Sequence, residues 1–323
     1  MTLNTLKKRG LSQYLTSDPV GVAICFFSLF LLTLLLRAPD VALKNMSEAL
    51  SLCALRVIPS LFPFMVLSEL LFGGNGLSAV APLLRLPAGL AFGMSGESGA
   101  AVLFGVFCGA PVGAKCAATL YRGGRIDRGE LTRLLTVCTP PSAPFLISAV
   151  GVSAFGSPEV GRRLFIASLV SCLLIGIVGR VFFSGSGSRG QSDVGPLTER
   201  RSLPSLITGA VTSSALTMLY VCAFVLFFST LGGALEYLSA AIALPPAVTT
   251  LIFGFLELTA GVERASVLPN GKYLAAAISG WSGLSTALQV MSICRECDIS
   301  FKPYFVSRLA SALLFALVMA VGA

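Results

Sequence analysis

Several apolar stretches of the sequence are interrupted by residues that could bind an ion or a small solute. The clearest is Glu257, a carboxylate in a long uncharged run, with Thr259 two residues later. An ionisable side chain inside a membrane-spanning segment is costly and usually functional. Glu257 and Thr259 are therefore predicted to bind a coupling proton or cation. The alternative is an interfacial glutamate, because Glu263 and Arg264 follow closely.

A second candidate is the stretch CGAPVGAK over residues 108–115. Gly109, Pro111 and Gly113 would unwind a helix here, and unwound backbone offers N–H and C=O groups to a ligand. Lys115 follows and would favour an anion. The alternative is that Lys115 extends its amine to the lipid headgroups.

Two further breaks in apolar runs are rich in hydroxyls, glycine and proline. Hydroxyls and unpaired helix N-termini can bind a carboxylate, so both breaks are predicted to bind substrate. The residues are Thr139, Pro140, Pro141 and Ser142 in the first break, and Ser282, Gly283, Ser285 and Gln289 in the second. The alternative is helix packing through small residues, although a buried amide such as Gln289 needs partners.

The residue types exclude several kinds of chemistry. The chain has no histidine, which removes imidazole relays, Ser-His-Asp triads and histidine metal sites. Most of the nine cysteines lie in apolar runs, as buried side chains in a reduced setting do. The pair Cys294 and Cys297 has CxxC spacing, but no second pair accompanies it. We therefore expect no metal site, no cofactor and no enzymatic activity.

The overall composition requires a lipid environment. Of 323 residues, 55% are hydrophobic and only 12% charged, whereas soluble domains carry roughly 25% charged residues. The mean hydropathy is +0.86. The net charge of +8 indicates basic cytoplasmic loops rather than a nucleic-acid partner. The sequence predicts an all-α polytopic membrane protein, whose first partner is the lipid bilayer.

A transmembrane helix needs about 20 mostly apolar residues. Residues 20–36 form the first such run and follow Lys7, Lys8 and Arg9, which predicts an uncleaved span with the basic N-terminus inside. The other charge-poor runs cover residues 98–114, 164–183, 203–235, 238–256, 274–294 and 303–323. The run 203–235 is longer than one straight span needs, so we expect it to tilt or to include an interfacial piece.

Three other apolar segments contain helix-breaking prolines. They cover residues 49–72, 77–94 and 134–158. Proline removes a backbone donor, and an interrupted backbone survives at membrane depth only where protein or a wet cavity covers it. These segments are predicted to be re-entrant hairpins or discontinuous helices, with a kinked span as the alternative.

The two halves of the chain resemble each other on either side of a polar segment. Residues 165–174 (FIASLVSCLL) align with residues 305–314 (FVSRLASALL), an offset of 140, and the small-residue breaks lie near the same offset. This order predicts two tandem repeats, taken to be inverted, with broken helices or re-entrant hairpins in each. The predicted units are a basic N-terminus and first helix (1–44), a first repeat (45–183), a polar linker (184–202) and a second repeat (203–323).

Several motifs resemble the YlbJ-type sporulation integral membrane proteins, over roughly residues 45–320. The matching stretches are ALRVIPSLFPF from residue 54, GAPVGAK from 109, YRGGRI from 121, ELTRLL from 130, CTPPS from 138, LELTAG from 256, and SGLS from 282 with Gln289. That family carries a nucleoside-recognition, or Gate, domain and includes a stage V sporulation protein implicated in dipicolinate transport.

The resemblance implies a multi-pass inner-membrane protein in the mother cell of a spore-forming bacterium. The expected substrate is a small organic anion, dipicolinate, moved by alternating access at a midplane site. Lys115, the hydroxyls and the helix N-termini would bind its two carboxylates, and Glu257 would be a coupling group or a partner of Lys115. The alternatives are a nucleoside or cation transporter or channel and a sporulation scaffold. The sequence leaves open whether the protein forms a homo-oligomer.

Overall fold

The computed structural model describes residues 19–73, 76–182, 202–241 and 243–321, and every regular element in these ranges is a helix. Lys7, Lys8 and Arg9 lie outside the described residues, as does the predicted linker apart from Ser202.

The helices divide into two sets along the chain. The first set is α1 (Pro19–Arg37), α2 (Pro39–Leu52), the π-helical turn π1 (Cys53–Val57), α3 (Ile58–Gly73), α4 (Gly76–Phe92), α5 (Gly96–Cys108), α6 (Ala110–Arg122), α7 (Arg128–Val137), the π-helix π2 (Phe145–Ala154) and α8 (Pro158–Phe182). The second set is α9 (Leu203–Ala241), α10 (Pro246–Leu256), α11 (Leu258–Ser266), α12 (Gly271–Trp281), α13 (Gly283–Ile293) and α14 (Lys302–Val321).

The prediction of a multi-pass membrane protein is confirmed. Five helical stretches in the described ranges are long and apolar enough to cross a membrane, and a sixth is reached if the bent pair α4–α5 counts as one. In α1, Phe26 and Phe27 are 66% and 59% exposed, an exposure that suits lipid rather than water. The helix α9 has 39 residues and is about 58 Å long at 1.5 Å per residue. It is too long for an upright span, so it must tilt or extend beyond the bilayer core.

The three proline-rich segments behave differently. The helices α2 and α3 join through π1 into one continuous span, so residues 49–72 form neither a re-entrant hairpin nor a discontinuous helix. The segment 77–94 forms α4, which meets α5 at an angle of 86°. The segment 134–158 is discontinuous, because α7 ends at Val137 and π2 begins at Phe145.

Three of the charge-poor runs are interrupted, two of them at the breaks that the sequence predicted. The run 98–114 breaks at Gly109, whose φ of +93° suits glycine alone. The run 274–294 breaks at Ser282 and Gly283, with φ of +71° and +81°. The run 238–256 is split between the end of α9 and the prolines that begin α10. Hydropathy alone misses these breaks because unwinding leaves the side chains apolar.

The chain folds back on itself at two of the breaks. Gly105 and Gly113 would be about 12 Å apart along a continuous helix. A Cβ added to Gly113 would instead lie 3.0 Å from the Cα of Gly105. Likewise, a Cβ added to Gly261 would lie 2.3 Å from the Cα of Gly254. Thus α5 and α6 form a helical hairpin (hairpin 1, tip at Gly109), and α10 and α11 form a second (hairpin 2, tip at Glu257).

Each hairpin packs on the broken helix that follows it in the chain. Added Cβ atoms at Gly105 and Gly113 would lie 1.9 and 1.7 Å from the carbonyl oxygen of Cys138, at the end of α7. An added Cβ at Gly254 would lie 2.4 Å from Ile278 Cγ1 in α12. The glycines therefore let each hairpin contact its broken helix closely. We call α7 with π2 broken helix 1, and α12 with α13 broken helix 2.

The described elements follow the same order in both halves: a hairpin, a broken helix and a long helix. The long helices α8 and α14 are joined where Ser171 Oγ donates a 2.9 Å hydrogen bond to Ser311 Oγ, 140 positions away. The two halves align at this same offset, so Ser171 and Ser311 occupy equivalent positions in the two predicted repeats. These observations favour the tandem repeat, which stays a prediction of the sequence.

Glycine at position 113 should be essential to the packing of hairpin 1. Gly113→Ala would drive a methyl group into the backbone carbonyl of Cys138, so we expect a loss of about 3 kcal/mol, the upper part of the overpacking range. The measurement is thermal unfolding of the purified protein in detergent. Gly209→Ala in α9 is the matched control, because a Cβ there meets nothing within 4 Å. Equal melting temperatures for the two variants would contradict the hairpin packing.

Candidate functional site

All four breaks of the two hairpins and two broken helices meet at one buried cavity of about 70 Å³. Its lining residues come from both hairpin tips, both broken helices, and the α2–π1–α3 span and α9, which we call the scaffold. They are Val57, Leu61, Cys108, Gly109, Ala110, Pro111, Pro141, Ser142, Phe145, Val221, Val225, Glu257, Leu258, Thr259, Ser282, Thr286 and Gln289. Unwound backbone that would be costly in lipid is thereby enclosed by protein.

Each hairpin tip contacts the break of its own broken helix. A Cβ added at Gly109 would lie 3.2 Å from the Cβ of Ser142. A Cβ added at Gly283 would lie 2.8 Å from the backbone nitrogen of Leu258 and 3.2 Å from the Cα of Glu257. The start of a helix lies at each of these contacts, where the first N–H groups have no partner within their own helix.

Glu257 is the one charged residue among those that line the cavity. It is only 3% exposed, and its carboxylate accepts hydrogen bonds from Ala260 N at 2.6 Å and Thr259 Oγ1 at 3.1 Å. It thus caps the N-terminus of α11, where the helix dipole favours a negative charge. Within the described ranges Glu257 forms no ion pair, so a proton or a cation could bind it.

Most of the predicted site residues are brought together. Those that line the cavity are Gly109, Pro111, Pro141, Ser142, Ser282, Gln289, Glu257 and Thr259. Ser142 Oγ accepts a 3.2 Å hydrogen bond from Phe145 N at the start of π2. The side-chain amide of Gln289 donates to Ser285 Oγ over 3.4 Å, a long bond that a bound solute could replace.

Thr139 and Pro140 lie in the break of broken helix 1 but do not line the cavity. Thr139 is fully buried, and its hydroxyl donates to the carbonyl of Leu135. Its own carbonyl and that of Thr136 accept 3.0 and 2.9 Å bonds from Arg308 on α14, which thereby pins the end of α7. Pro140 lies buried in the same break without lining the cavity.

Three further predicted site residues, Gly113, Gly283 and Ser285, contact other parts of the protein but do not line the cavity. Gly113 packs against Cys138, Gly283 packs against the tip of hairpin 2, and Ser285 accepts the bond from Gln289.

Lys115 lies away from the cavity. Its amine donates to a carboxylate oxygen of Glu69 on α3 and to Ser213 Oγ on α9. Glu257 is not its partner, and this ion pair ties hairpin 1 to two scaffold helices. Lys115 is six positions after the tip residue Gly109.

Hairpin 2 has a matching ion pair. Glu263, six positions after its tip residue Glu257, accepts from Arg56 in π1. The neighbouring Arg264 pairs with Glu236 on α9 at 2.8 Å. Both hairpins are therefore tied to the α2–π1–α3 span and to α9. Arg56 and Glu69 are 13 positions apart on that span, about 20 Å at the helical rise, so the two ion pairs lie at different depths.

Aromatic side chains stabilise the tip of hairpin 2. Trp281, the one tryptophan in the chain, stacks on Phe255 with ring centroids 5.2 Å apart and an interplanar angle of 8°. Its Nε1 donates a 2.9 Å hydrogen bond to the carbonyl oxygen of Phe255. Trp281 ends α12, so it joins broken helix 2 to the end of α10.

Sequence reasoning missed the scaffold contribution to the cavity. Val57, Leu61, Val221 and Val225 line one side and carry no chemical signature. The charged residues Arg56 and Glu69 inside an apolar segment were the available signal, because such residues need partners. No group of three histidine, cysteine or acidic side chains gathers within the described ranges, and all nine cysteines are free.

The chain is 30% identical over 320 residues to the sporulation integral membrane protein YlbJ of Bacillus subtilis (strain 168), a match that covers 88% of this chain and 78% of that protein. No protein-family model matches the chain, and no solved structure matches it.

The cap role of Glu257 can be separated from any role in binding. Glu257→Ala removes the acceptor for Ala260 N and should lower the stability by about 1 kcal/mol. Glu257→Gln keeps an acceptor oxygen, so it should melt within a degree or so of the wild-type protein. Thermal unfolding in detergent measures both. A Gln variant as unstable as the Ala variant would show that the charge itself holds the tip of hairpin 2.

Proposed function

We propose that this chain, which belongs to the YlbJ family of sporulation integral membrane proteins, transports a small organic anion, dipicolinate, through the cavity between its four breaks. The observation that carries this proposal is the convergence of both hairpin tips and both broken helices on one small cavity, whose lining includes the carboxylate of Glu257. Helix ends placed at such a point are the means by which transporters bind solutes at membrane depth.

The size of the cavity supports alternating access. At about 70 Å³ it is well below the range of about 300–1,000 Å³ of sites that hold drug-sized ligands. A solute can bind only when a hairpin moves away from its broken helix. The structure thus suits the closed state of a carrier, which lies between one state open to each side of the membrane. Hairpin 1 and hairpin 2 are the proposed moving elements.

The chemistry of the lining favours an anion that moves with a proton. Hydroxyls of Ser142, Thr259 and Thr286, the amide of Gln289 and the helix N-termini can donate to carboxylates. The carboxylate of Glu257 would repel a dianion unless it takes up a proton. Protonated Glu257 removes the repulsion and gains a donor, which makes it the coupling group. Phe145 and the valines supply apolar walls for the pyridine ring.

A nucleoside or a cation is the second candidate substrate. The lining has one carboxylate, no basic side chain and several neutral polar groups, which suits a neutral or cationic solute as well. A carrier of either kind would use the same hairpins. We place the protein in the inner membrane of the mother cell, in line with the sporulation role named for its Bacillus relative.

The test is uptake into proteoliposomes that contain the purified protein, with an imposed pH gradient. We expect saturable dipicolinate uptake that is faster when the outside is acidic, and no nucleoside uptake. Nucleoside uptake without dipicolinate uptake would favour the second candidate. Uptake of neither solute by folded protein would refute the carrier proposal and favour a sporulation scaffold.

Glu257→Gln should reduce gradient-driven uptake to the background of empty vesicles, because the amide cannot carry a proton. Glu296→Gln is the control, since Glu296 is 64% exposed, pairs with Arg122 at 3.4 Å and does not line the cavity. Unchanged uptake by Glu257→Gln would remove this residue from the coupling step.

Lys115 should act through its ion pair with Glu69 and not by binding the solute. Lys115→Glu places two carboxylates together and should lose most of the uptake, because hairpin 1 loses its tie to α3. The exchanged variant Glu69→Lys with Lys115→Glu should recover most of it. Uptake rates at equal protein content decide this. No recovery in the exchanged variant would favour direct binding of the solute by Lys115.

A further inference from the structure

A second cavity of about 600 Å³ opens beside the central one, between the two π-helical segments π1 and π2. Its lining residues come from π1, α3, the end of α5 in hairpin 1 and broken helix 1: Leu55, Arg56, Pro59, Ser60, Phe64, Phe107, Ala143, Pro144, Ile147, Ser148, Ala149 and Ser153. We call it the lateral groove. π-Helical segments are rare and are frequent at functional sites, and residues of both π1 and π2 line this groove.

Arg56 is the charged residue of the lateral groove. Its side chain is 31% exposed, and its Nη1 donates to Glu263 of hairpin 2. In the described part of the chain, no protein acceptor bonds to Nε or Nη2. These donors remain for a ligand, and the planar guanidinium suits a carboxylate.

The rest of the lateral groove fits an aromatic carboxylate. Ser60, Ser148 and Ser153 provide hydroxyls, and Phe64 and Phe107 provide rings. The volume of about 600 Å³ lies within the range of about 300–1,000 Å³ of small-ligand sites. An acyl chain of a lipid would use the apolar walls but would leave Nε and Nη2 of Arg56 without an acceptor.

The lateral groove and the central cavity are lined by neighbouring residues of the same two segments. Ala143 and Pro144 line the groove, whereas their neighbours Ser142 and Phe145 line the cavity. Leu61 lines the cavity directly after Ser60 of the groove. Both segments therefore border both spaces.

We infer that the lateral groove is the entrance subsite for the organic anion, in which Arg56 binds a carboxylate before the solute reaches the central cavity. The identity of the ligand rests on the proposed function. Because Arg56 also holds Glu263, a bound carboxylate weakens the tie of hairpin 2 to π1 by sharing the same guanidinium. Arrival of the solute thereby favours movement of the hairpin that covers the cavity.

The test uses a cysteine placed in the lateral groove of the full-length protein in lipid nanodiscs. Ser148→Cys lies in the groove, and Val152→Cys is the matched control on the same π-helix, because Val152 is 50% exposed and does not line the groove. Both are labelled with a charged maleimide that does not enter lipid, with the wild-type protein as background for the native cysteines.

We expect the maleimide to label the Ser148→Cys variant much faster than the Val152→Cys variant. Dipicolinate at about ten times its dissociation constant should slow the reaction at position 148 about tenfold by mass action. Arg56→Gln should abolish this protection, whereas Arg56→Lys, which keeps the charge, should retain part of it. An uncharged nucleoside should give no protection.

Two results would overturn the subsite. Equally slow labelling at both positions would show that lipid fills the groove, and protection that survives Arg56→Gln would remove Arg56 as the binding group. The assay is independent of transport, because Glu257→Gln should stop uptake and leave protection intact. Protection without uptake by the wild-type protein would refute the transport proposal alone, and uptake without protection would refute the subsite alone.

Discussion

The structure depends on the need to satisfy backbone polar groups at membrane depth. Helices interrupted at Gly109, Glu257 and Ser282, and between Val137 and Phe145, leave N–H and C=O groups without helical partners. Such groups are tolerated only where protein covers them or water reaches them. The four breaks therefore cover one another. The glycines of the hairpins allow this, because they bring α5 and α6 against the carbonyl of Cys138 and bring α10 and α11 against Ile278.

The same packing bears on the proposed movement of the hairpins. The tips are held by short-range contacts with glycine and serine, whereas the arms are held by ion pairs to a common scaffold, Lys115 with Glu69 and Arg56 with Glu263. Ion pairs at partly exposed positions stabilise weakly compared with apolar packing. In the proposed transport cycle, a hairpin would leave its broken helix and exchange these weak ion pairs, while α9 and the α2–π1–α3 span stay in place.

The sequence predicted the class of the fold and three of the four breaks, because glycine and proline in apolar runs indicate backbone that cannot continue as a helix. It singled out Glu257 as a charge but not as a break. It also did not predict that the chain reverses direction at Gly109 and Glu257, since hydropathy does not record a reversal of direction. It also assigned Lys115 to the substrate, because a lone cation in a membrane segment is ambiguous until its partner is known. Glu69 is 46 positions away, and only the packing of α3 against hairpin 1 joins them.

The most direct test of the account is protection of Cys108 by the solute. Cys108 precedes the tip of hairpin 1 and is the one cysteine that lines the central cavity. Its reaction with a small membrane-permeant thiol reagent can be followed by peptide mass spectrometry in the wild-type protein. The account predicts that dipicolinate slows the reaction of Cys108 and leaves that of Cys25, on the exposed face of α1, unchanged. Equal rates for Cys108 with and without saturating dipicolinate would contradict binding at the meeting point of the four breaks.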